Sequence, residues 1–246
     1  MEKDVAITVQ NLHIQYKGLK KYSIKKSLLK RKTSKLETFE ALHGISFEVE
    51  TGRIVGIIGR NGSGKSTLLR ALAGVFSPDI GTIDLHHNTV SLLSIGVGFQ
   101  NQLTGYENIY LAGMLLGFTE KQIREKEEEI IQFADIGDFI YKPVKTYSSG
   151  MYSKLAFAIT AILETDIMLI DEVLSVGDAA FKVKSYNKMK ELISDEHRTV
   201  VIVSHVIPTL RELCDEVIWL HDGVIKMIGK TDEVLDQYEL FMTGKK

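Results

Sequence analysis

Eight consecutive residues, 59–66, constrain the fold of this chain more than any other segment. They read G-R-N-G-S-G-K-S and match the phosphate-binding loop pattern G-x-x-x-x-G-K-[ST]. The apolar run Ile54–Ile58 precedes the loop and is typical of a buried strand, while residues 67–73 follow it as a helix opening. The order of strand, glycine loop and helix predicts an α/β fold in which loop N–H groups and the helix N-terminus face an anion.

The loop also supplies a cation and a hydroxyl group. Lys65 can reach the outer phosphates of a nucleoside triphosphate, and Ser66 can ligate Mg²⁺. The pattern by itself indicates only a site for a nucleoside triphosphate. The loop residues that we expect to contact this ligand are Gly59, Arg60, Asn61, Gly62, Ser63, Gly64, Lys65, Ser66 and Thr67.

Length and composition limit the class of protein. A chain of 246 residues can form one large α/β domain, or one domain with an inserted subdomain. The net charge of −2 argues against nucleic acid as a partner, and the single cysteine, Cys214, excludes an internal disulfide and fits a reducing cytosol. The N-terminus lacks a signal-peptide pattern, and the longest apolar stretch, residues 155–163, is too short to span a bilayer. We therefore expect a soluble chain whose membrane role depends on a partner.

Alternating and apolar runs predict further strands, at residues 5–9, 45–49, 81–83, 90–93, Ile167–Ile170 and 200–203. The first run alternates like an edge strand, and the last two are typical of parallel strands covered on both faces. Residues from about 101 to 162 are predicted to be mostly helical, with a helix start at Thr119. Residues 217–226 are predicted to form a hairpin with an Asp-Gly turn.

Polar groups follow the predicted buried strands. Asp171 and Glu172 end the run Ile167–Ile170. A carboxylate at a strand end can hold Mg²⁺ and its neighbour can polarise an attacking water, so we predict Asp171 as a metal ligand and Glu172 as the general base. His205 follows the next apolar run, at the same sheet edge as Asp171 and near the outermost phosphate. Gln100 ends an apolar stretch containing glycine, and its side-chain carbonyl could touch both Mg²⁺ and the water.

A second anion site is predicted at Ser148, Ser149 and Gly150. These residues precede a strong helix, so a hydroxyl and free N–H groups would point outward from the helix N-terminus. A plain helix cap would use the same residues. A phosphate-loop protein has no evident need for two anion sites in one chain, which makes this feature unusual.

The order of these elements, with Ser-Val-Gly-Asp at residues 175–178, closely resembles the ATPase subunit of an ABC transporter, and the resemblance covers essentially all 246 residues. It implies ATP and Mg²⁺ as ligands and a single ATPase domain. That domain has a RecA-like P-loop core with a parallel sheet, an antiparallel β subdomain and an inserted helical subdomain at about residues 101–162. Two subunits of this family sandwich two ATPs, so the resemblance implies a homodimer in which Ser148 meets ATP held by the opposite subunit. It also implies that Gln100 and His205 act in catalysis and that Asp178 contacts ATP.

Two departures narrow the resemblance. The usual signature L-S-G-G-Q reads Y-S-S-G-M here, and Ser148 and Gly150, which contact phosphate, remain. This signature and the stretch at residues 103–109 resemble ATPases that export polysaccharides and teichoic acids. Because the chain ends soon after Tyr238, we expect no carbohydrate-binding tail of the kind that some O-antigen exporters carry, which favours teichoic acid or capsule export.

The second departure is a basic insert at about residues 17–38. Nine Lys or Arg residues and no acid lie between Lys17 and Lys35. One interpretation is a solvated loop. The other is a contact with the anionic membrane face or with a lipid diphosphate headgroup, since each cation near an anionic surface contributes about 1 kcal/mol. The cations predicted to lie at the membrane face are Lys20, Lys21, Lys25, Lys26, Lys30 and Arg31.

The adenine contact has two candidates. In the family an aromatic residue upstream of the phosphate loop stacks on the base. Tyr16 lies just before the insert and is favoured, and Phe39 lies just after it as the rival. Stacking needs only a flat face, which both side chains offer.

The resulting hypothesis is the ATP-hydrolysing subunit of an exporter of a lipid-linked cell-envelope polymer, with wall teichoic acid as the favoured cargo. Such a subunit would lie at the cytoplasmic face of the membrane, bound to an integral permease present in two copies. The alternatives are capsule or O-antigen export and small-molecule transport. The signature and the basic insert argue against small-molecule transport. A ribosomal or DNA-acting ABC ATPase would need two cassettes or a coiled coil, and a P-loop kinase would leave Ser148 and His205 unexplained.

Overall fold

The structure is a computed structural model that describes residues 4–17, 38–93, 98–171, 178–195 and 197–244. The strands are β1 (Val5–Lys17), β2 (Thr38–Glu50), β3 (Ile54–Ile58), β4 (Ile80–Asp84), β5 (Val90–Leu93), β6 (Ile167–Ile170), β7 (Thr199–Val203), β8 (Glu216–His221) and β9 (Val224–Lys230). The α-helices are α1 (Lys65–Leu72), α2 (Gly105–Leu115), α3 (Glu120–Ala134), α4 (Ser149–Ile162), α5 (Ala179–Ile193), α6 (Ile207–Leu213) and α7 (Thr231–Thr243). Short 3-10 helices cover Gly137–Tyr141 and Val144–Thr146.

The antiparallel part of the fold is a three-stranded sheet with the order β2-β1-β4. Val9 of β1 lies opposite Phe47 of β2 and Ile83 of β4, so β1 is the central strand. The prediction that residues 5–9 form an edge strand is therefore wrong. Alternation along a strand shows which face is buried, but the number of neighbouring strands depends on segments far away in the sequence.

The main sheet has six strands in the order β5-β6-β7-β3-β8-β9. The first five run parallel and β9 is antiparallel to β8. Every residue of β6 and β7 is buried, which confirms the prediction of parallel strands covered on both faces. Ile170 lies opposite Ile202, and Ile57 lies opposite Val203. The carboxyl ends of β6, β7 and β3 therefore meet at one edge of the sheet.

The hairpin and the helical region also follow the sequence. Asp222 and Gly223 turn between β8 and β9 with φ angles of 47° and 77°, as a two-residue turn with both angles positive requires. Helix α3 begins after Thr119, whose side chain forms a reciprocal capping box with Gln122. Helices α2, α3 and α4 share an apolar cluster distinct from the two that cover the sheets. None of the helices in the described ranges has the length and apolar character needed to cross a bilayer.

Candidate functional site

The predicted phosphate loop connects β3 to α1, and glycine stands where a side chain would not fit. A Cβ on Gly59 would lie 2.2 Å from the carbonyl oxygen of Leu220 on the adjacent strand. Gly64 precedes α1 with φ 103°, and a Cβ there would lie 2.7 Å from Cδ2 of Leu42. Glycine accommodates both this backbone angle and this close approach. Because it has no side chain to cap the helix, the first N–H groups of α1 remain available to an anion.

Lys65, the first residue of α1, holds a positive charge across the loop. Its side chain is only 6% exposed. The ammonium group donates to the carbonyl oxygens of Gly59 at 2.8 Å and Arg60 at 3.1 Å. These bonds offset the cost of burying the charge and fold the side chain back over the loop. An anion held by the loop N–H groups would therefore meet a cation that is already in place.

A cleft of about 270 Å³ opens beside the loop and joins it to the edge of the main sheet. Asp171 directly follows β6 and His205 follows β7 by two residues. Since β6, β7 and β3 are parallel neighbours, both side chains reach the cleft that Lys65 and Ser66 also line. The other loop residues in its wall are Asn61, Gly62, Gly64 and Thr67. One cavity thus combines a cation, a hydroxyl, a carboxylate and an imidazole.

Both aromatic candidates for the adenine contact line this same cleft. Tyr16 and Phe39 lie directly opposite each other on β1 and β2. The Tyr16 hydroxyl shares a hydrogen bond of 3.1 Å with Thr67, and the rings of Tyr16 and Phe76 pack edge to face with centroids 5.8 Å apart. Phe39 is 64% exposed and Tyr16 is 39% exposed. The preference for Tyr16 stays a prediction, because each ring offers a face at the mouth of the cleft.

Gln100 is placed by a residue that the sequence interpretation did not single out. The N–H of Gln100 donates to the side-chain oxygen of Asn108 at 2.8 Å. The fully buried Asn108 amide in turn donates to the carbonyl oxygens of Gln100, Leu103 and Thr104. Gln100 is exposed and does not belong to the described lining of the cleft. Its predicted contact with Mg²⁺ and water stays a prediction.

The second predicted anion site lies at the start of α4. The Ser148 hydroxyl accepts the N–H of Met151 at 3.2 Å and caps the helix, while Ser149 and Gly150 form its first turn. Ser148 and Ser149 are exposed, and neither lies among the described residues that line the cleft. A helix cap and an anion site use the same serine, so the site remains a prediction.

Asp178 connects the start of α5 to α4. Its carboxylate caps α5 by accepting the N–H of Phe181, and it pairs with Lys154 of α4 at 2.7 Å. The hydrogen bond with Lys154, aided by the backbone N–H of Phe181, lowers the pKa of Asp178 to about 2. The Asp178 side chain therefore ties together two helices, and its predicted contact with ATP stays a prediction. No pattern in the sequence points to Lys154 as its partner.

The side chain of Arg60 is directed toward helix α7. Its Nε donates to Sδ of Met242 at 3.3 Å, and its guanidinium lies 5.4 Å from the ring centre of Phe241 on α7. Gly59, Arg60 and Ser63 are absent from the described lining of the cleft, so their predicted contacts with the ligand stay predictions.

Two of the predicted sites lie outside the residues that the structure describes. Residues 18–37 hold most of the basic insert, and residues 172–177 include Glu172.

Comparison with known proteins assigns the chain to a protein family. A model of the family described as ABC transporter matches residues 42–175. The chain belongs to this family. A dimeric ATP-binding cassette of the family, solved in a post-hydrolysis state with ADP and phosphate, superposes with a TM-score of 0.68 over 92% of this chain and 98% of its own. At 21% identity, that likeness shows the ABC ATPase fold: a P-loop core with a parallel sheet, an antiparallel sheet and a helical region.

Two curated relatives carry more specific names. A teichoic acids export ATP-binding protein of Bacillus anthracis is 48% identical over 82% of this chain, which corresponds to 36% of the relative. An O-antigen export system ATP-binding protein of Myxococcus xanthus is 42% identical over 85% of this chain and 48% of the relative. The chain thus spans about a third to a half of the length of these ABC transporter proteins.

Proposed function

We propose that this chain binds Mg²⁺–ATP in the cleft and hydrolyses it, acting as one ATPase domain of an exporter for a lipid-linked cell-envelope polymer. The observation that carries the proposal is the shared cleft of Lys65, Ser66, Asp171 and His205. The loop N–H groups and Lys65 would hold the phosphates, and His205 would lie at the outermost one. Tyr16 or Phe39 at the mouth of the cleft would stack on the adenine.

The residues present fit Mg²⁺. The Ser66 hydroxyl and the Asp171 carboxylate are oxygen donors, which Mg²⁺ prefers, and both line the cleft. Bound Mg²⁺ would neutralise charge on the β- and γ-phosphate oxygens. Glu172, next to Asp171 in the sequence, would polarise the attacking water as general base, and the side-chain carbonyl of Gln100 would contact Mg²⁺ and that water. The buried strand β6 supports this role, because it fixes the position at which the acidic pair begins.

We further propose that two copies of the chain assemble around two ATPs. The exposed Ser148 cap at the start of α4 would then meet ATP held by the opposite copy. Asp178 would contact ATP from the start of α5, which its ion pair with Lys154 ties to α4. The dimer would dock on two copies of an integral permease and lie peripherally at the cytoplasmic face of the membrane.

Wall teichoic acid is the proposed cargo. The name of the Bacillus relative, at 48% identity, favours it, and so does the Y-S-S-G-M signature. O-antigen or capsular polysaccharide is the second candidate, favoured by the name of the Myxococcus relative. The basic insert would contact the anionic membrane face or the lipid diphosphate of the polymer, because its nine cations carry no compensating acid.

The nucleotide site is tested by Lys65→Ala. Removing the cation that spans the loop should weaken binding of a fluorescent ATP analogue in Mg²⁺. Lys188→Ala is a matched control, because that lysine is 12% exposed and pairs with Glu164 and Glu191. Lys188→Ala should bind the analogue like the wild type. Equal affinity in wild type and Lys65→Ala would mean that the loop is not the phosphate site.

The shared site is tested by mixing variants. Ser148→Arg should bind ATP and fail to hydrolyse it, and Lys65→Ala should fail to bind it. Heterodimers of the two should regain activity, because one composite site per dimer keeps both intact residues. Inactive heterodimers would contradict the shared site. For the cargo, cells that depend on Lys65→Ala should lose surface teichoic acid, and loss of capsule or O-antigen alone would favour the second candidate.

A further inference from the structure

The phosphate loop is attached to the last turn of α7 through one side chain. Arg60 reaches out of the loop, with its Nε 3.3 Å from Sδ of Met242 and its guanidinium 5.4 Å from the ring centre of Phe241. A cation over an aromatic face is attracted by the negative charge of the ring. The loop and α7 are separated by some 180 residues in the sequence, so only the fold creates this contact.

The ring of Phe241 is itself held in a defined position. Trp219 and His221 of β8 pack on it with centroid distances of 5.2 Å and 5.1 Å. The ammonium group of Lys226 on β9 lies 3.6 Å from its centre. Two turns earlier, Val234 and Leu235 of α7 are fully buried against the same sheet. The end of α7 is therefore a fixed support on which the Arg60 side chain rests.

The main chain of Arg60 serves the inside of the loop. Its carbonyl oxygen accepts hydrogen bonds from the N–H of Ser63 and from the ammonium group of Lys65, both at 3.1 Å. One residue thus links α7 to the cation of the loop, through its side chain on one side and its carbonyl group on the other. The contact with α7 therefore acts on the same residue whose carbonyl orients Lys65.

We propose that Phe241 and Met242 are positioning residues for the nucleotide site, which they hold ready for phosphate through Arg60. This inference rests on the proposed binding of ATP in the cleft. A loop that is already ordered loses less conformational freedom when its ligand binds, so the contact raises affinity without touching the ligand. Coupling of this kind is reciprocal, so ATP in the loop must also stabilise the end of α7.

The first test is a double-mutant cycle read out as ATP affinity. Phe241→Ala and Arg60→Ala should each weaken binding by about two- to fivefold, the size of an exposed cation–π contact, and the double variant should be no weaker than either. The maximal turnover of Phe241→Ala at saturating ATP should stay unchanged, because Phe241 does not belong to the loop that would bind ATP. Phe241→Tyr, which keeps the ring, should restore affinity.

A matched control separates the Arg60 contact from the docking of α7 in general. Lys226→Gln removes the other cation over the same ring and leaves Arg60 in place. It should lower thermal stability with no change in ATP affinity. If Lys226→Gln and Phe241→Ala weaken binding equally, the effect is one of helix docking and the proposal is overturned.

The second test uses hydrogen exchange and needs no change in α7. A non-hydrolysable ATP analogue should slow exchange of backbone amides at residues 239–243 in the wild type and not in Arg60→Ala. This measurement decides the matter if Phe241→Ala does not fold. Protection that persists in Arg60→Ala, or additive effects in the cycle, would overturn the positioning role alone. A wild-type chain that binds no ATP would instead overturn the proposed function.

Discussion

Replacing Gly59 by alanine should destabilise the protein much more than the same change at Gly62. At Gly59 the new Cβ would lie 2.2 Å from the backbone oxygen of Leu220 and 2.6 Å from the Ser63 hydroxyl. The backbone of β8 cannot rotate away as a side chain can. At Gly62 the φ angle is 81°, but the Cβ would have no atom of the described residues within 4 Å. The first change overpacks the loop, and the second only strains its backbone.

These contacts set the expected sizes. Overpacking costs about 1–3 kcal/mol, and a clash with rigid backbone places Gly59→Ala at about 3 kcal/mol. A left-handed residue other than glycine costs about 1 kcal/mol where no contact adds to the strain. Each kcal/mol lowers the Tm of a chain of this size by about 2–4 °C, so we expect decreases of about 6–12 °C for Gly59→Ala and about 2–4 °C for Gly62→Ala.

The assay is thermal unfolding without nucleotide, because a ligand that binds only the folded state would raise both Tm values. Gly62→Ala serves as the control for loss of glycine in the same loop. A Tm for Gly59→Ala at or above that of Gly62→Ala would refute the reasoning, since the carbonyl of Leu220 would then leave room for a methyl group.

Three further predictions concern other parts of the chain. Glu172→Gln should keep ATP binding and lose about 10²–10⁴-fold in phosphate release, and near-normal turnover would exclude a general base at this position. Lys154→Gln should raise the pKa of Asp178 from about 2 toward its ordinary 3.8, as NMR titration can show. Because the folded-state pKa is lowered, the pair stabilises the fold above pH 3.8 and is lost as the pH falls through about 2. The stability difference between this variant and the wild type should therefore shrink on acidification, and a constant difference would contradict the pair. Replacing the six cations of the basic insert by glutamine should spare basal hydrolysis and reduce polymer export, an effect that salt should diminish because exposed charges are screened over about 8 Å. Normal export at wild-type protein levels would leave the insert a solvated loop.

Elements that depend on neighbouring residues alone could be predicted from the amino-acid sequence. The strand Ile54–Ile58, the loop after it and helix α1 follow from an apolar run, three glycines and a helix opening within 20 residues. The buried strands β6 and β7 are continuous apolar runs, and the hairpin turn needs only Asp222 and Gly223. The parallel order of such strands also places Asp171 and His205 at one edge, so the main cleft was predictable.

Contacts between distant residues could not be predicted and are visible only in the folded chain. It places β1 between two strands, sets Tyr16 opposite Phe39, and pairs Asp178 with Lys154. It also places the guanidinium of Arg60 5.4 Å from the ring centre of Phe241 on α7. Such contacts join segments that are far apart in the chain, and each side chain involved would satisfy its local pattern equally well with another partner. The packing of the sheets and helices selects among those partners, because it alone sets the distances between them.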